Sequence, residues 1–443
     1  MLLNLTILIF FLFLLILSIS KLNLHPFIAL IMSAIALGLS FGLGGRKTVE
    51  VLLQGFSNTL QWIAIIIILG AFIGEVLKET GGAIRISNRI IGWSGKKKLP
   101  WALGLTGYLI SIPVFVDVAY ILLQPVIESV AAKTKKPILY LGLSLTAGLT
   151  VSHTLIPPTP GPLAVASLLH ADIGRMLVVN IIVALFAMTG GILFVKFFVK
   201  NVYIEYDKKL SKISIPDHPN HAEPLNKWKF VLDLIPIILP ILLIGIGTFI
   251  KADSNTIASN IVGFITTPLI AVFIGALIAS FQVKSGNKMG TINRLVEQAI
   301  IKSAMVIMIT GAGGSLGFVI KESGIQNEIV QVFSQYSFLG FLLPFTVASI
   351  LTISTGSITV SLVGTASMLG PMLSNLPMSP EITAALIGSG AFIVFHANSS
   401  FFWLLNRLHE VPPKILYRTY TLQSLVMGLS GLIGALILKV SGF

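Results

Sequence analysis

The feature that most limits the fold of this chain is a series of twelve apolar runs, most of them close to 20 residues long. A helix of about 20 apolar residues spans the hydrocarbon core of a bilayer. Of the 443 residues 55% are hydrophobic and only 11% are charged, which excludes an ordinary soluble globule. The sequence therefore predicts an all-α, multi-pass membrane protein. The runs are 2–20, 26–45, 58–78, 99–132, 138–168, 175–197, 230–250, 258–281, 302–320, 338–374, 381–405 and 416–438.

Four of these runs are interrupted. The run 99–132 is broken at Ser111–Pro113 and the run 338–374 at Ser354–Ser357, and both are long enough to double back as two half-length helices. Two further breaks lie at His153–Pro162, which contains four prolines, and at His396–Ser400. Irregular backbone survives in a bilayer only where protein or a water-filled cavity satisfies its polar groups. The breaks therefore indicate an interior polar site.

The 30 lysine and arginine residues are distributed unevenly between the two sides of the membrane. If each doubling-back run returns to the side it left, 24 of them fall on one side and 6 on the other. The positive-inside rule makes the rich side cytoplasmic and puts both termini outside. The net charge of +13 is then explained by the basic loops on the cytoplasmic side, and no nucleic-acid partner is expected. The rich side includes 78–98, 133–136, 200–229, 284–294 and 407–418.

An internal repeat relates the two halves of the chain. A shift of 243 residues places Gly70, Gly74, Lys78, Glu79 and Gly81 on Gly313, Gly317, Lys321, Glu322 and Gly324, and also pairs His153 with His396 and Arg175 with Arg418. The glycine spacing itself is typical of close helix contact. Each half, 1–199 and 230–443, contains five crossings and one hairpin, and 200–229 is expected to be a cytoplasmic linker. Because five is odd, the second half must be inverted.

The predicted architecture is therefore two inverted-topology repeats, with about ten full spans, two re-entrant helical hairpins and two broken helices. Inverted repeats whose broken helices meet near the midplane are typical of secondary transporters. The alternatives are an intramembrane enzyme and a channel. Ser152, His153 and His396 offer atoms for catalysis, but no paired acid and no His-Glu-x-x-His motif accompanies them. The chain has no cysteine, and no metal or cofactor is expected.

The tips and breaks supply the candidate substrate-binding residues. Helix N-termini present unpaired N–H groups and the positive end of the helix dipole, which together attract an anion such as a carboxylate. Hydroxyl and amide side chains suit a substrate that carries hydroxyl groups. The alternative is that small polar residues only allow close helix packing. The candidates are Ser111, Pro113, Thr159, Thr355, Gly356, Ser357, Thr359, His396, Asn398 and Ser399.

Asp117 is the sharpest candidate for ion coupling. It follows the first tip and has no basic residue within ten positions on either side. A carboxylate inside a membrane is costly and usually functional, and desolvation favours its neutral form, which suits a reversible proton carrier. The alternative is an aspartate satisfied by backbone N–H groups at a helix start. His153 is either a second proton-coupling group, a substrate contact or an interior hydrogen-bonding residue.

At these residues the chain resembles the gluconate permease (GntP) family of bacterial proton symporters, within the ion transporter superfamily. The resemblance implies an inner-membrane, proton-coupled importer of gluconate or a related sugar acid or small hydroxy acid. Superfamily kinship implies an elevator-like motion of the hairpins and, by analogy, a homodimer. A sodium-coupled carboxylate or D-amino-acid transporter is the alternative. The motifs that carry the resemblance are Gly81–Ala83, Ile112–Val118, Pro157–Pro162, Gly313-Gly314, Lys321–Gly324, Ser354–Ser357 and His396–Trp403.

The chain departs from the family pattern at two positions. The family commonly has histidine where this chain has Thr159, and commonly has His-Val-Asn-Asp where this chain has His396–Ser399. Both changes remove a titratable group beside the expected site. They leave the identity of the substrate open. They also make Asp117 the main candidate for proton coupling.

Overall fold

The computed structural model describes residues 2–22, 24–95, 98–207, 227–249, 257–323, 337–375, 378–397 and 399–442. Within these ranges every regular element is a helix, which confirms the all-α prediction. In the first half the helices are α1 (Leu2–Ser20), α2 (Pro26–Ser40), α3 (Gly45–Glu79), α4 (Gly82–Ser94), α5 (Leu99–Ile110), α6 (Val116–Thr134), α7 (Ile138–Leu155), α8 (Pro160–Leu168) and α9 (Ile173–Phe194), which continues as a π-helical turn over Val195–Val199.

The second half of the chain follows a similar order of helices. They are α10 (Lys227–Phe249), α11 (Ile257–Thr266), α12 (Pro268–Phe281), α13 (Lys288–Glu322), α14 (Ser337–Thr355), α15 (Ile358–Leu369), α16 (Pro380–Ala391), α17 (Ser400–His409), α18 (Pro413–Leu416) and α19 (Leu422–Val440). A 3₁₀ segment, Gly370–Asn375, follows α15, and a π-helical turn, Tyr417–Thr421, joins α18 to α19.

Several of these helices are suited to cross a bilayer. Among the described residues five helical segments are long and apolar enough to do so, and counting two bent pairs as spans raises the number to seven. This agrees with a multi-pass membrane protein, whereas the count of about ten spans stays a prediction. One bend was not expected, because 258–281 was predicted as a single run. The helix turns by 71° between Thr266 and Pro268, where proline ends the hydrogen-bonding pattern of the preceding helix.

The two doubling-back runs break where the sequence predicted. The first gives α5 and α6, and the second gives α14 and α15. The second arms begin at Val116 and Ile358, two to three residues later than the expected starts at Pro113 and Gly356. At the first tip the Ser111 hydroxyl donates to the Val114 carbonyl at 3.0 Å, which closes the intervening residues into a turn.

The first broken run is less irregular than the sequence indicated. Helix α7 continues through His153 to Leu155 and α8 begins at Pro160, so only 156–159 lie outside the helices. The prediction that the break spans 153–162 is thus wrong at both ends. Pro160 and Pro162 lie in the first turn of α8, where the missing N–H of proline breaks no hydrogen bond.

The second broken run is more irregular than predicted, because α16 ends at Ala391 and α17 begins only at Ser400. Buried side chains of α9 and α19 satisfy the freed backbone at both breaks. The Asn180 amide donates to the Leu155 carbonyl at 2.7 Å, and the Ser424 hydroxyl accepts from the Phe395 N–H at 3.0 Å. Both breaks are therefore held within protein, as irregular backbone in a bilayer requires.

Helices α3 and α13 pack lengthwise against each other. Each has 35 residues, and their bounds differ by 243, the offset of the sequence repeat. The paired glycines make close contacts, as their spacing predicted. The Pro113 carbonyl occupies the space that a Cβ on Gly74 would need, and a Cβ on Gly317 would lie 3.2 Å from the Ser367 carbonyl oxygen. Helix α3 thus packs directly against the first tip.

Ion pairs join the two halves of the chain. Arg85 of α4 makes two hydrogen bonds, of 2.8 and 2.7 Å, to the buried carboxylate of Asp233 in α10. Arg294 of α13 pairs with Glu79 of α3 at 2.6 Å. The Arg294–Glu79 contact joins the end of α3 to the start of α13. The assignment of these ends to the basic-rich side stays a prediction.

Candidate functional site

A cavity of about 220 Å³ lies where the first hairpin, the second hairpin and the second broken helix meet. Its lining combines aromatic rings with a few hydroxyl, imidazole and carboxylate groups, a mixture typical of small-molecule sites. The lining residues are Phe115, Val116, Asp117, Thr150, His153, Gly356, Ser357, Ile358, Thr359, Phe395, Ser399, Ser400, Phe401 and Tyr420.

A much narrower pocket of about 10 Å³ adjoins this cavity, and Phe115 and His153 line both. Its volume is close to the minimum that one water molecule needs. It is built from the first tip, the first break and α3. The two spaces together bring all four interruptions of the apolar runs to one region. The narrow pocket is lined by Gly70, Ala71, Ser111, Ile112, Pro113, Val114, Phe115, His153, Pro158, Thr159 and Pro160.

Asp117 lies in the first turn of α6, and its side chain is exposed within the larger cavity. Among the described parts of the chain its carboxylate accepts no hydrogen bond and forms no ion pair. The alternative was that backbone N–H groups at the start of its own helix satisfy this aspartate. Among the described residues no such hydrogen bond is present. The carboxylate is available to a proton or a ligand.

His153 is half-buried in the last turn of α7, between the cavity and the narrow pocket. Its ring packs against Phe115, with the ring centroids 5.7 Å apart. Thr150 lies one turn earlier on α7 and also lines the cavity. The end of α7 thus presents an imidazole and a hydroxyl on the side facing Asp117.

The second tip faces the same cavity with the start of α15. Gly356 has a φ of 69°, a left-handed conformation that favours glycine. Ser357 is the N-cap of α15, and its hydroxyl accepts from the Val360 N–H at 3.3 Å. Gly356, Ser357 and Thr359 therefore line the cavity at a helix N-terminus, where an anion is favoured.

Ser399 and Tyr420 complete the cavity on the side of the second broken helix. Both are buried, and the Tyr420 hydroxyl interacts with Ser399 and lies within electrostatic reach of Asp117. Sequence analysis missed Tyr420. It belongs to the π-helical turn 417–421. A π-helical turn changes the direction in which the following side chains point, and a single sequence does not reveal where such a turn occurs.

The other predicted site residues lie farther from the cavity. Ser111, Pro113 and Thr159 line only the narrow pocket, and the Thr159 hydroxyl donates to the Ile156 carbonyl at 2.6 Å. Thr355 lines neither space, and its hydroxyl donates to the Leu351 carbonyl at 2.7 Å. Asn398 lies outside the described residues.

His396 also lines neither space, although the repeat pairs it with His153. Its Nε2–H donates to the Ile353 carbonyl at 3.0 Å, near the end of α14. This bond ties the second broken helix to the second hairpin. The two equivalent histidines therefore have different surroundings, and His396 holds the second broken helix against the second hairpin beside the cavity.

Comparison with known proteins is consistent with this architecture. The family model described as GntP family permease matches residues 2–441. The chain is 33% identical to an uncharacterized permease of Haemophilus influenzae over 416 residues, covering 89% of this chain and 84% of that protein. It is 29% identical to the high-affinity gluconate transporter of Escherichia coli K12 over 437 residues, covering 96% of this chain and 97% of the relative.

The fold also resembles that of a solved transporter. The crystal structure of the YdaH transporter of Alcanivorax borkumensis aligns with a TM-score of 0.68, covering 95% of this chain and 99% of that one. The two sequences are only 14% identical, so this likeness concerns the fold alone.

Proposed function

This chain belongs to the GntP family of permeases, and we propose that it imports gluconate or a related sugar acid or small hydroxy acid together with a proton. The observation that carries the proposal is an aspartate, without a hydrogen-bond or ion-pair partner among the described residues, that is exposed in a polar cavity also lined by the N-terminus of a hairpin helix. The similarity to a gluconate transporter over nearly the whole chain supports the class of substrate.

The cavity suits a hydroxylated carboxylate. Its carboxylate would bind at the start of α15, where the first backbone N–H groups and the hydroxyls of Ser357 and Thr359 can donate hydrogen bonds. Thr150 and Tyr420 also line the cavity, and their hydroxyls would bind the substrate's own hydroxyl groups. A site built to bond hydroxyls discriminates strongly against analogues that lack them.

Proton coupling follows from placing two carboxylates in one cavity. Two unit negative charges about 5 Å apart repel by roughly 3 kcal/mol at an effective dielectric constant of 20, which is more than about a hundredfold in affinity. Protonation of Asp117 removes this repulsion. Substrate and proton would therefore bind together. Because one anion and one proton carry no net charge, loading would leave the charge of the moving unit unchanged.

The proposed architecture is the pair of inverted repeats, 1–199 and 230–443, joined by the cytoplasmic linker 200–229. The equal lengths of α3 and α13 and their offset of 243 support the duplication. The two hairpins and two broken helices would move as one elevator-like unit against the remaining helices of a homodimer. The protein would lie in a bacterial inner membrane with both termini outside.

Transport by purified protein in liposomes tests the function. We expect labelled gluconate to accumulate in a saturable manner when the outside is acidic, and to be indifferent to a sodium gradient at constant pH. Uptake driven by sodium alone would contradict proton coupling. A flux that does not saturate would indicate a channel.

Gly356→Leu is expected to weaken gluconate binding at least about tenfold, because a bulky side chain at the tip would enter the cavity and disturb the N-terminus of α15. The measurement is the shift in melting temperature that gluconate produces in the purified protein, together with KM for uptake. Gly42→Leu is the control, since Gly42 also has a left-handed φ, of 77°, but a Cβ at this position would meet no atom within 4 Å. An unchanged affinity in Gly356→Leu would argue against binding at this tip.

A further inference from the structure

A row of polar residues runs along α6 away from the cavity. Tyr120, Gln124 and Glu128 follow Asp117 at intervals of three, four and four residues, which places all four on one face of the helix. Eleven residues of α-helix extend about 16 Å, roughly half of a hydrocarbon core of about 30 Å. The row therefore has the length needed to connect a midplane cavity with one surface of the membrane.

The inner part of this row is a buried tyrosine–histidine pair. The Tyr120 hydroxyl lies 2.9 Å from Nε2 of His409, the last residue of α17. Tyr120 is 1% exposed and His409 is fully buried. Among the described residues Nδ1 of His409 has no hydrogen-bond partner. A buried, unpartnered polar atom is costly, so its retention calls for a functional explanation.

The outer part of the row reaches the surface. Glu128 accepts hydrogen bonds from the Gln124 amide at 2.8 Å and from the Tyr206 hydroxyl at 2.7 Å. The ring of Tyr206 lies 5.6 Å from that of His409, measured between centroids. Burial, together with the nearby carboxylates of Glu128 and Glu410, raises the pKa of Tyr206 to about 12, so the phenol stays protonated and donates to Glu128.

The groups around His409 come from three elements. Tyr120 and Glu128 belong to α6, Tyr206 belongs to the segment after the π-helical turn of α9, and Glu410 follows His409 directly in the chain. Glu128 and Tyr206 are half exposed, and Glu410 is exposed. The neighbouring segments, 133–136 and 200–207, belong to the side that the sequence assigned to the cytoplasm.

We propose that Tyr120, His409 and Glu128 form a proton path between Asp117 and the cytoplasmic surface. This inference rests on the proton coupling proposed above. Protonated Asp117 would give its proton through water to the Tyr120 oxygen, while Tyr120 gives its own proton to Nε2 of His409. The imidazole would then release the proton of Nδ1 towards Glu128 and water, which leaves His409 protonated at Nε2. Rotation of the ring would let its two nitrogens exchange this proton with cytoplasmic water and so restore the starting tautomer. Each O–H or N–H bond that breaks along the path is replaced by one on the next group, and the net result is the movement of one proton from Asp117 to the cytoplasm.

Two transport modes separate this path from a packing role. Net uptake requires Asp117 to release its proton to the cytoplasm in every cycle, whereas exchange of internal for external gluconate at equal pH can proceed with Asp117 protonated throughout. We expect Tyr120→Phe and His409→Phe to slow pH-driven net uptake by about tenfold or more, since a positioned proton-transfer group typically contributes at least that much. Exchange should stay within about twofold of wild type.

Tyr203→Phe is the matched control. Tyr203 lies in the same segment as Tyr206 but is exposed, and its hydroxyl donates to the Lys135 carbonyl at 3.3 Å, away from the proposed path. It should retain both modes. Tyr120→Phe keeps the shape of the side chain, so it remains informative if His409→Phe does not fold.

Each outcome decides between the hypotheses. Loss of net uptake with preserved exchange supports the path. Equal loss of both modes would show that the cluster is structural. Full net uptake in both variants would show that protons leave by another route. Either result overturns the proposed path but leaves proton symport unaffected. If the wild-type protein shows no pH-driven uptake, the proposed proton coupling fails, and the path with it.

Discussion

Asp117→Asn is expected to abolish gluconate accumulation driven by a pH gradient while the protein still inserts and folds. Asparagine has nearly the same shape as aspartate but cannot exchange a proton, so substrate could bind without coupling. Because the repulsion between two carboxylates is removed, gluconate should also bind at least as tightly to the variant as to wild type at neutral pH. Uptake in liposomes and stabilisation by gluconate measure the two effects.

Asp172→Asn is the matched control for this substitution. Asp172 is exposed and caps α9 by accepting the Arg175 N–H at 2.7 Å, and asparagine caps a helix about as well as aspartate does. This variant should transport normally. Accumulation with an unaltered pH dependence in Asp117→Asn would refute the coupling role. A variant that no longer binds gluconate would instead indicate that Asp117 positions the substrate.

The sequence was sufficient to predict, to within a few residues, which breaks surround the cavity. The tips at Ser111–Pro113 and Ser354–Ser357 interrupt long apolar runs, and a bilayer tolerates such backbone only inside protein. That constraint is strong because lipid offers no hydrogen-bond partners. It predicted that the breaks face an interior polar space, and the structure brings Asp117, His153, Gly356, Ser357 and Ser399 together around one cavity.

The exact helix ends were less predictable, because proline has two opposite effects. The motif Pro157–Pro162 indicated a long break, yet Pro160 and Pro162 begin α8, since proline is well suited to a first helical turn. Whether a proline ends or starts a helix depends on which neighbours satisfy the adjacent carbonyls. Here Asn180 does so from α9, 25 residues away in the sequence.

Contacts between distant segments escaped prediction altogether. The pairing of Tyr120 with His409 joins residues 289 positions apart. Neither residue lies at a break or in a repeated motif, so nothing in the local pattern connects them. The repeat likewise paired His153 with His396, but tertiary surroundings made only the first a lining residue of the cavity.

Gly74→Ala is expected to lower the rate of gluconate transport by about a hundredfold, although residue 74 does not line the cavity. A Cβ on Gly74 would overlap the Pro113 carbonyl, so the first tip, which positions Asp117 four residues later, must shift away from α3. A displacement of about 1 Å in a binding site can cost roughly a hundredfold in rate. Initial rates of uptake at saturating gluconate measure the effect.

The control for Gly74→Ala is Gly92→Ala in α4, where a Cβ would meet no atom within 4 Å. Alanine is favoured over glycine inside a helix by about 1 kcal/mol, so this variant should keep full activity and be slightly more stable. Full transport by Gly74→Ala would mean that α3 and the first tip are free to separate. The tip would then be positioned by its own turn, through the bond from Ser111 to the Val114 carbonyl, rather than by the helix packed against it.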